Sequence, residues 1–254
     1  TAYKEATIRD LLDMRTGVTF VEDYLATSGL MIDYRKATNW NPLENNEAPS
    51  DLRSFYRLLD KKSHPDGKQF NYVSPNSDLL GWIIERSTGE RFSDLLSDLF
   101  WKPLGATMPS YITVDRLGAP RVAGGLCTTA IDLALVGQLF LDYGFTNGQQ
   151  ILPKNWLRDI RENGSRDAWL EGNFAEYFPN RDMHYRSKWY VDHGANDSKA
   201  ELVFGLGVHG QNLFINSKKR IVIAKFSSQA APLDPHLIPM TCKWARTLIN
   251  ELED

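Results

Sequence analysis

The sequence has 254 residues, of which 42% are hydrophobic, and its 29 basic residues nearly balance its 32 acidic ones. This length suffices for a large core in one domain or in two closely packed lobes. The charge balance lacks the basic surplus typical of nucleic-acid-binding proteins, and the apolar stretches are too short to span a bilayer. We therefore expect neither a nucleic-acid partner nor a membrane span.

The first part of the chain predicts helices joined by long loops. Thr7 is the expected N-cap of the first helix, with Asp10 three residues later and Gly17 as its terminator. Residues 18–50 are expected to form a long loop, because Asn and Pro residues recur there. Further helices are predicted near 51–60, after Ser74, between Phe92 and Pro103, after Thr129 and after Pro153.

From about residue 184 the pattern changes to strands. Short connections predict antiparallel neighbours, and the segment from Pro235 predicts a final helix. The expected fold class is α+β, with a mostly helical lobe over 1–183 and the strands and last helix over 184–254, together one cooperative unit. The predicted strands, rich in Val, Ile and aromatic residues, are 184–192, 201–208, 211–216 and 221–227.

Residues 70–76 stand directly before an amphipathic helix. Ser74 is the expected N-cap, Pro75 the first helical residue and Gly89 the terminator. The free N–H groups and the positive dipole end of that helix would point at the neighbourhood of Tyr72 and favour negative charge there. Taken alone, a strand-end aromatic followed by a capping serine is the simpler interpretation of these residues.

Several known site motifs are excluded. Residues 205–210 match the G-x-G-x-x-G pattern of dinucleotide-binding loops, but a strand and not a helix is expected to follow. Neither G-x-S-x-G nor H-E-x-x-H occurs, and the five histidines have no ligand spacing. The pairing of Cys127 and Cys242 stays open. We expect no cofactor and no metal ion.

Four segments occur in an order found in one enzyme family: Leu11–Gly17, Phe70–Gly81, Gly124–Ala134 and Gly207–Gln211. With them the chain resembles the serine β-lactamase and penicillin-binding-protein superfamily, most closely its class C-like esterase branch, which includes 6-aminohexanoate-dimer hydrolases. The resemblance implies a β-lactamase/transpeptidase-like fold, in which helices flank an antiparallel sheet and a helical lobe adjoins it. It also implies hydrolysis through an acyl-enzyme.

The resemblance assigns roles at three places. Tyr72-Val73-Ser74 matches the Y-x-N or Y-x-S motif, whose tyrosine exchanges a proton with the nucleophilic serine. Residues 205–207 replace the K-T-G-like strand without lysine or hydroxyl, so the Val208 N–H is the expected oxyanion donor and Gly207 lets the substrate approach. Ser74 and His209 are expected to bind substrate. Tyr24 and Trp40 are further candidates on other grounds, because they lie in the long loop over 18–50 and loops of that length are often functional; surface packing is the simpler role for both.

The S-x-x-K motif that carries the nucleophile does not occur in the 254 residues, and Ser217-Lys218-Lys219-Arg220 comes nearest. In family order this motif precedes the Leu11 helix. We therefore expect it upstream of Thr1, in a missing N-terminal segment that this chain would need as its partner, and we expect the chain alone to be inactive.

Three functions stay open. The favoured one is a serine hydrolase that cleaves a small ester or linear amide. A β-lactamase or D-alanyl-D-alanine peptidase is less favoured, because Ser74 and the lysine-free strand depart from those enzymes. A non-catalytic binding homologue would instead be complete from Thr1 and expose no apolar sheet edge. Substrate, oligomeric state and compartment are not fixed by the sequence. A soluble protein is expected, with a cytoplasmic location favoured and a periplasmic one left open.

Overall fold

The computed structural model describes residues 1–194 and 201–252, and the chain divides into two compact units. Unit 1 consists of Thr1–Leu95 and Ser110–Cys127, and unit 2 of Leu96–Pro109 and Thr128–Asp254. The sequence places a boundary at 183/184, where predicted helices are followed by predicted strands. This boundary differs from the division into units, because both units contain helices and unit 2 includes much of the segment before residue 184.

Unit 1 begins with helix α1 (Ile8–Leu12), whose N-cap Thr7 forms the predicted capping box with Asp10. Helix α2 (Leu30–Ala37) corrects the prediction of an uninterrupted loop over 18–50. Its buried residues recur every three positions, but Asn, Ser and Gly residues on both sides conceal this short signal in the sequence.

The remaining elements of unit 1 include the helix that follows Tyr72. That helix ends where predicted, at Thr88, with Gly89 in the left-handed region (φ 76°). The elements are α3 (Leu52–Phe55), a 3-10 turn (Tyr56–Leu58), α4 (Ser74–Thr88), α5 (Phe92–Leu96), which reaches the border of the unit, and the antiparallel strands β1 (Tyr111–Ile112) and β2 (Leu126–Cys127).

The core of unit 1 is largely aromatic. Phe20, Tyr34 and Phe55 pack at ring-centroid distances of 5.3–6.2 Å, and Tyr56 stacks on Trp82 of α4 at 5.9 Å. These contacts join α2, α3 and α4 around one buried cluster and hold the middle of α4 against it.

Unit 2 starts with a helical stretch in which Pro103 lies inside the last turn, and not after it as predicted. Proline is tolerated there because a residue at the start of a helical turn needs no N–H partner. The turn ends at Gly105, which has a left-handed conformation (φ 76°). The helical elements are a π-helical segment (Ser97–Trp101), α6 (Lys102–Leu104), α7 (Ala130–Leu141), α8 (Lys154–Glu162), α9 (Arg166–Leu170), two 3-10 turns (Ala175–Tyr177 and Val208–Gly210) and α10 (Leu237–Glu251).

A small hairpin and a five-stranded antiparallel sheet complete unit 2. The sheet is a meander in the order β5-β6-β7-β8-β9, and β5 and β9 are its outermost strands within the described residues. The strands are β3 (Phe145–Thr146), β4 (Gln149–Gln150), β5 (Met183–Arg186), β6 (Trp189–Asp192), β7 (Leu202–Gly207), β8 (Gln211–Asn216) and β9 (Ile221–Lys225).

The predicted strand 184–192 is in fact a hairpin, in which Arg186 pairs with Trp189. Ser187 and Lys188 form its turn with φ of 49° and 72°. Turns with positive φ at both central residues usually contain Asn or Gly, so this sequence lacks the ordinary hairpin signal.

The two faces of the sheet differ in chemistry. Aliphatic side chains from β6, β7 and β8 pack against α7 and α8 on one face. The other face is aromatic, with Tyr190 stacked on Phe204 at 5.2 Å and Phe204 beside Phe214 at 5.7 Å. Within the described residues, none of the helices combines the length and the apolar character that crossing a bilayer requires.

Candidate active site

Tyr72 lies in an extended segment that Met14 anchors. The Asn71 N–H donates to the Met14 carbonyl at 2.7 Å, and the Val73 N–H lies 3.5 Å from the Met14 sulfur. Phe70 and Val73 are buried, whereas Tyr72 is half-buried. The segment therefore holds the phenol of Tyr72 at the edge of the unit 1 core, directly before α4.

Glu22 occupies the N-terminal end of α4. Its Oε2 accepts a hydrogen bond from the Ser74 N–H at 2.6 Å, and its Oε1 accepts from the Ser74 hydroxyl. The helix end does attract negative charge, as the sequence predicts, but the anion is a carboxylate of the protein itself. Sequence reasoning missed Glu22, since it lies 52 residues from Ser74.

Ser74 is not the N-cap. The cap is Val73, which has extended backbone angles (φ −141°, ψ 108°), and Ser74 is the first helical residue. Its side chain is 4% exposed and donates to Glu22 instead of capping the helix. The prediction was wrong by one residue. The Glu22 carboxylate, from outside the helix, accepts a hydrogen bond from an N–H group at the helix end, which is the role that a capping hydroxyl otherwise has.

The groups around Tyr72 favour its neutral phenol. Burial raises the pKa of Tyr72 well above its usual value, the carboxylates Glu22 and Asp78 raise this pKa further, and Arg121 only partly opposes them. Burial also raises the pKa of Glu22, although the hydrogen bonds from Ser74 and Tyr24 act to lower it. The described surroundings therefore do not supply the positive field that a tyrosinate would need.

Tyr24, predicted from the sequence to bind substrate, contacts the same carboxylate. Its hydroxyl donates to Oε1 of Glu22 at 2.5 Å, and burial followed by the charge of Glu22 raises its pKa well above the usual value. The structure thus joins Tyr24 to Ser74 through Glu22.

Trp40 is 44% exposed, and the guanidinium of Arg121 lies 4.2 Å from the centre of its ring. The same guanidinium lies 5.9 Å from the ring of Tyr34. Such cation–π contacts fix the orientation of an otherwise exposed indole. Arg121 was also missed, since no local pattern connects it with residues so far away in the sequence.

Asp78 lies inside α4 and is 3% exposed. It accepts from the Tyr34 hydroxyl at 2.5 Å and from the Ala123 N–H at 2.8 Å. Burial raises its pKa to about 6, in spite of these bonds and of Arg121. Asp78 thereby ties α4 to α2 and to the segment that carries Arg121.

In unit 2, the predicted oxyanion segment lies at the end of a strand ladder. The last pair of β7 and β8 is Gly207 with Gln211, and Val208 is the first residue beyond it. The Val208 N–H is therefore outside the strand pairing. A Cβ on Gly207 would lie 3.0 Å from the Cβ of Gln211, so a larger residue there would crowd this strand end.

His209 is held by a neighbouring loop. It has a left-handed backbone conformation (φ 58°), its N–H donates to the Pro232 carbonyl at 2.9 Å, and its ring Nδ1 lies 2.8 Å from the Gln229 carbonyl. Since a carbonyl only accepts, Nδ1 carries the ring proton. Residues 205–216 form the predicted hairpin: a 3-10 turn (Val208–Gly210) connects its strands, and strand β8 instead of an α-helix follows Gly210.

The two cysteines carry free thiols, with Cys127 exposed and Cys242 buried. Among the described residues, the side chains of His, Cys, Asp and Glu form no group of three that could hold a metal ion.

Comparisons with known proteins identify the class of protein. A family profile described as Beta-lactamase matches residues 1–238, so the chain belongs to this family and has a β-lactamase/transpeptidase-like fold. The solved structure of an octameric penicillin-binding protein homologue from Pyrococcus abyssi has this fold too, with a TM-score of 0.60 at 16% identity, over 93% of this chain and 54% of that chain.

More similar relatives are hydrolases by name. The chain is 31% identical over 234 residues, 92% of its length, to a 6-aminohexanoate-dimer hydrolase from Paenarthrobacter ureafaciens. It matches the structure of a "putative 6-aminohexanoate-dimer hydrolase" from Bacillus anthracis with a TM-score of 0.81 at 26% identity over its whole length. It spans 57% of the first protein and 64% of the second.

Proposed function

We propose that this chain supplies the tyrosine and the oxyanion strand of a serine hydrolase that cleaves a small linear amide or ester through an acyl-enzyme. The observation that carries the proposal is Tyr72, which is anchored directly before α4 with a neutral phenol beside Glu22. Membership of the Beta-lactamase family and the named hydrolase relative support it.

A neutral phenol determines how the proton would move. Tyr72 cannot be a preformed base at neutral pH, so it accepts the serine proton only while it passes its own proton onward. The serine oxygen forms a bond to the substrate carbonyl carbon, and the proton relayed through Tyr72 reaches the leaving nitrogen or oxygen as its bond to carbon breaks. Water then attacks the acyl-serine, which releases the acid and restores the serine proton.

The reacting serine and its lysine are proposed to come from residues outside these 254. No Ser-x-x-Lys sequence occurs within them, and the chain spans little more than half of the named relative. On the family motif, we assign the oxyanion donor to the Val208 N–H and close substrate approach to Gly207. One such donor contributes roughly 3–4 kcal/mol to transition-state stabilisation.

Substrate contacts are proposed for Tyr24, Trp40 and His209. Glu22 fixes Tyr24, and Arg121 fixes Trp40, so both aromatic rings are preorganised. Ser74 is proposed to act indirectly, because its hydroxyl already donates to Glu22. By analogy with the named relative, the preferred substrate is a linear amide of the 6-aminohexanoate dimer type.

The test uses the protein joined to its Ser-x-x-Lys segment. We expect hydrolysis of linear 6-aminohexanoate dimer and of short-chain p-nitrophenyl esters, with a transient acyl adduct in the intact mass. Tyr72→Phe should lower kcat by about 10²–10⁴-fold, because only the proton relay is removed. Tyr111→Phe is the matched control, since Tyr111 is 71% exposed, and it should leave kcat unchanged.

Near-normal acylation in Tyr72→Phe would refute the role of Tyr72. Preferential turnover of a chromogenic cephalosporin would support the β-lactamase alternative. If no Ser-x-x-Lys segment exists and the protein binds these substrates without turnover, it is a binding homologue.

A further inference from the structure

Unit 2 contains a cavity of about 300 Å³ beside α10. The segment 177–181 forms one wall and α10 the other. Ligand pockets generally start near this volume, so the cavity suits a small molecule. None of its residues has a part in the reaction proposed above.

Two arginines that line the cavity, Arg181 and Arg246, share one buried carboxylate. Arg181 donates to Asp192 through Nη2 at 2.8 Å and through Nε at 3.0 Å. Arg246 of α10 forms an ion pair with the same carboxylate, which is 0% exposed and also accepts from the Gly194 N–H at 2.8 Å. Within the described residues, one buried carboxylate thus faces two guanidinium groups, so the positive charges outnumber the negative one.

The described residues that line the cavity include no acid to balance this charge. Lys243 adds a further cation at the rim. Burial raises the pKa of the Cys242 thiol to about 12, so Cys242 is neutral and adds no negative charge. An uncompensated charge in a poorly solvated site is unfavourable, and a bound anion relieves it.

Arg246 has donor capacity to spare. Its Nε is buried and forms no hydrogen bond with the described residues, although the ion pair with Asp192 engages its Nη2. Burial and then repulsion by Arg181 lower the pKa of Arg246 to about 10. The group is therefore still charged at neutral pH, and its surroundings are short of negative charge.

The apolar walls of the cavity indicate which kind of anion it suits. Phe178 is 4% exposed, and Tyr177, Pro179 and Pro239 add apolar surface around it. A guanidinium fork matches a planar carboxylate, whereas a bare inorganic anion would leave these walls in contact with water. We propose that this cavity binds a small organic carboxylate, with its headgroup at Arg246 and Lys243 and its apolar body against Tyr177 and Phe178.

The first experiment titrates the protein with benzoate and with benzamide, which has the same shape but no charge, and follows both by calorimetry. Inorganic phosphate is the third ligand. We expect saturable benzoate binding in the millimolar range, at least tenfold tighter than that of benzamide or phosphate, because charge and apolar body both contribute.

Variants of exposed rim residues locate the site without disturbing Asp192. Thr247→Phe should fill the mouth of the cavity and weaken benzoate binding at least tenfold, and Lys243→Gln should weaken it several-fold. Lys154→Gln is the matched control, because Lys154 is an exposed lysine of the same unit that does not line the cavity. Urea unfolding verifies that each variant is folded.

Each contrary result overturns the proposal. Equal affinity for benzamide would mean that the charge is not recognised, and equal affinity for phosphate would mean that the walls are not used. Benzoate binding that is unchanged in Thr247→Phe and Lys243→Gln would place the ligand elsewhere. The absence of saturation by about 50 mM would exclude a site in the range proposed.

Discussion

The region around Tyr72 in unit 1 and the cavity beside α10 in unit 2 differ in the sign of their excess buried charge. In unit 1, Glu22 and Asp78 lie near Tyr72, and burial raises the pKa of both carboxyls. In unit 2, Arg181 and Arg246 surround one carboxylate, and burial lowers the pKa of both guanidiniums. A buried acid can take up a proton and become neutral near physiological pH, whereas a guanidinium stays charged and needs an anion.

The buried charges suit the two units to different tasks. Burial raises the pKa of the acidic side chains near Tyr72 in unit 1, so these groups bind a proton more readily than they would in water, which suits a site where a phenol relays a proton. The basic region of unit 2 retains net positive charge, which suits the binding of an anion. The same substitution, Asp to Asn, should therefore have opposite effects in the two units.

The largest effect is expected for Asp192→Asn in unit 2. Removing the carboxylate leaves Arg181 and Arg246 buried without a counter-charge, which should lower the free energy of unfolding by about 3–5 kcal/mol. Urea unfolding at pH 7 measures it. Asp98→Asn is the matched control: its ion pair with Lys102 is exposed, so a change within about 1 kcal/mol is expected. Equal effects in the two variants would contradict the comparison.

Asp78→Asn in unit 1 should instead stabilise the protein at pH 7. The pKa of Asp78 is raised from 3.8 to about 6, so its favourable contribution is present below pH 3.8 and lost as the pH rises through about 6. An amide stays neutral and can still accept from the Ala123 N–H. The gain at pH 7 should approach about 3 kcal/mol and vanish near pH 4.

Urea unfolding at pH 4 and pH 7 tests this. A loss of stability that is the same at both pH values would mean that the Tyr34 bond matters more than the buried charge, and the proposed asymmetry between the units would fail.

His184 provides the opposite pH dependence in unit 2. It is 0% exposed, its Nε2 donates to the Ile160 carbonyl at 2.9 Å, and its Nδ1 accepts from His193 at 3.0 Å. Burial lowers its pKa to about 4. The contribution of neutral His184 to stability is therefore fully present above pH 6.5 and is lost as the pH falls through about 4. The loss at pH 5 amounts to about 2 kcal/mol.

In the unsubstituted protein, protonation of Asp78 stabilises the fold as the pH falls from 6 to 4, whereas protonation of His184 destabilises it. The two effects on the free energy of unfolding partly cancel in this range. Asp78→Asn should make the loss of stability in acid steeper, because the opposing contribution of Asp78 is removed, and His184→Gln should make it shallower. The two slopes are measured by urea unfolding at half-unit pH intervals. A change of slope in the same direction in both variants would be incompatible with pKa shifts of opposite sign at Asp78 and His184.

The smallest effect is expected for Glu22→Gln in the catalytically competent protein. Glutamine still accepts from the Ser74 N–H, but its amide nitrogen cannot accept from a hydroxyl, so Tyr24 is held less firmly. We expect kcat/KM to fall about tenfold, mainly through KM. Glu5→Gln, at an exposed position, is the control. A loss confined to kcat would assign Glu22 to the chemistry and not to positioning.

Local chemistry made much of the fold predictable. The capping box of Thr7, the left-handed Gly89 and the helix after Thr129 depend on residues within a few positions of one another, as does the strand pattern after residue 200. Where a local signal was weak, as in α2, or atypical, as at Ser187-Lys188, the prediction was wrong. Such errors arise because tertiary packing outweighs weak local preference.

The sequence by itself determined the family, through four segments in order, and identified Tyr72 as the residue of interest. Only the tertiary structure decided the electrostatics around it. Glu22 lies 52 residues from Ser74 and yet occupies the helix end that the sequence predicts to favour negative charge near Tyr72. Likewise, Arg181 and Arg246 come together at Asp192 from segments far apart in the chain. Burial and charge depend on what surrounds a group in space, and the spacing of residues along a chain does not contain that information.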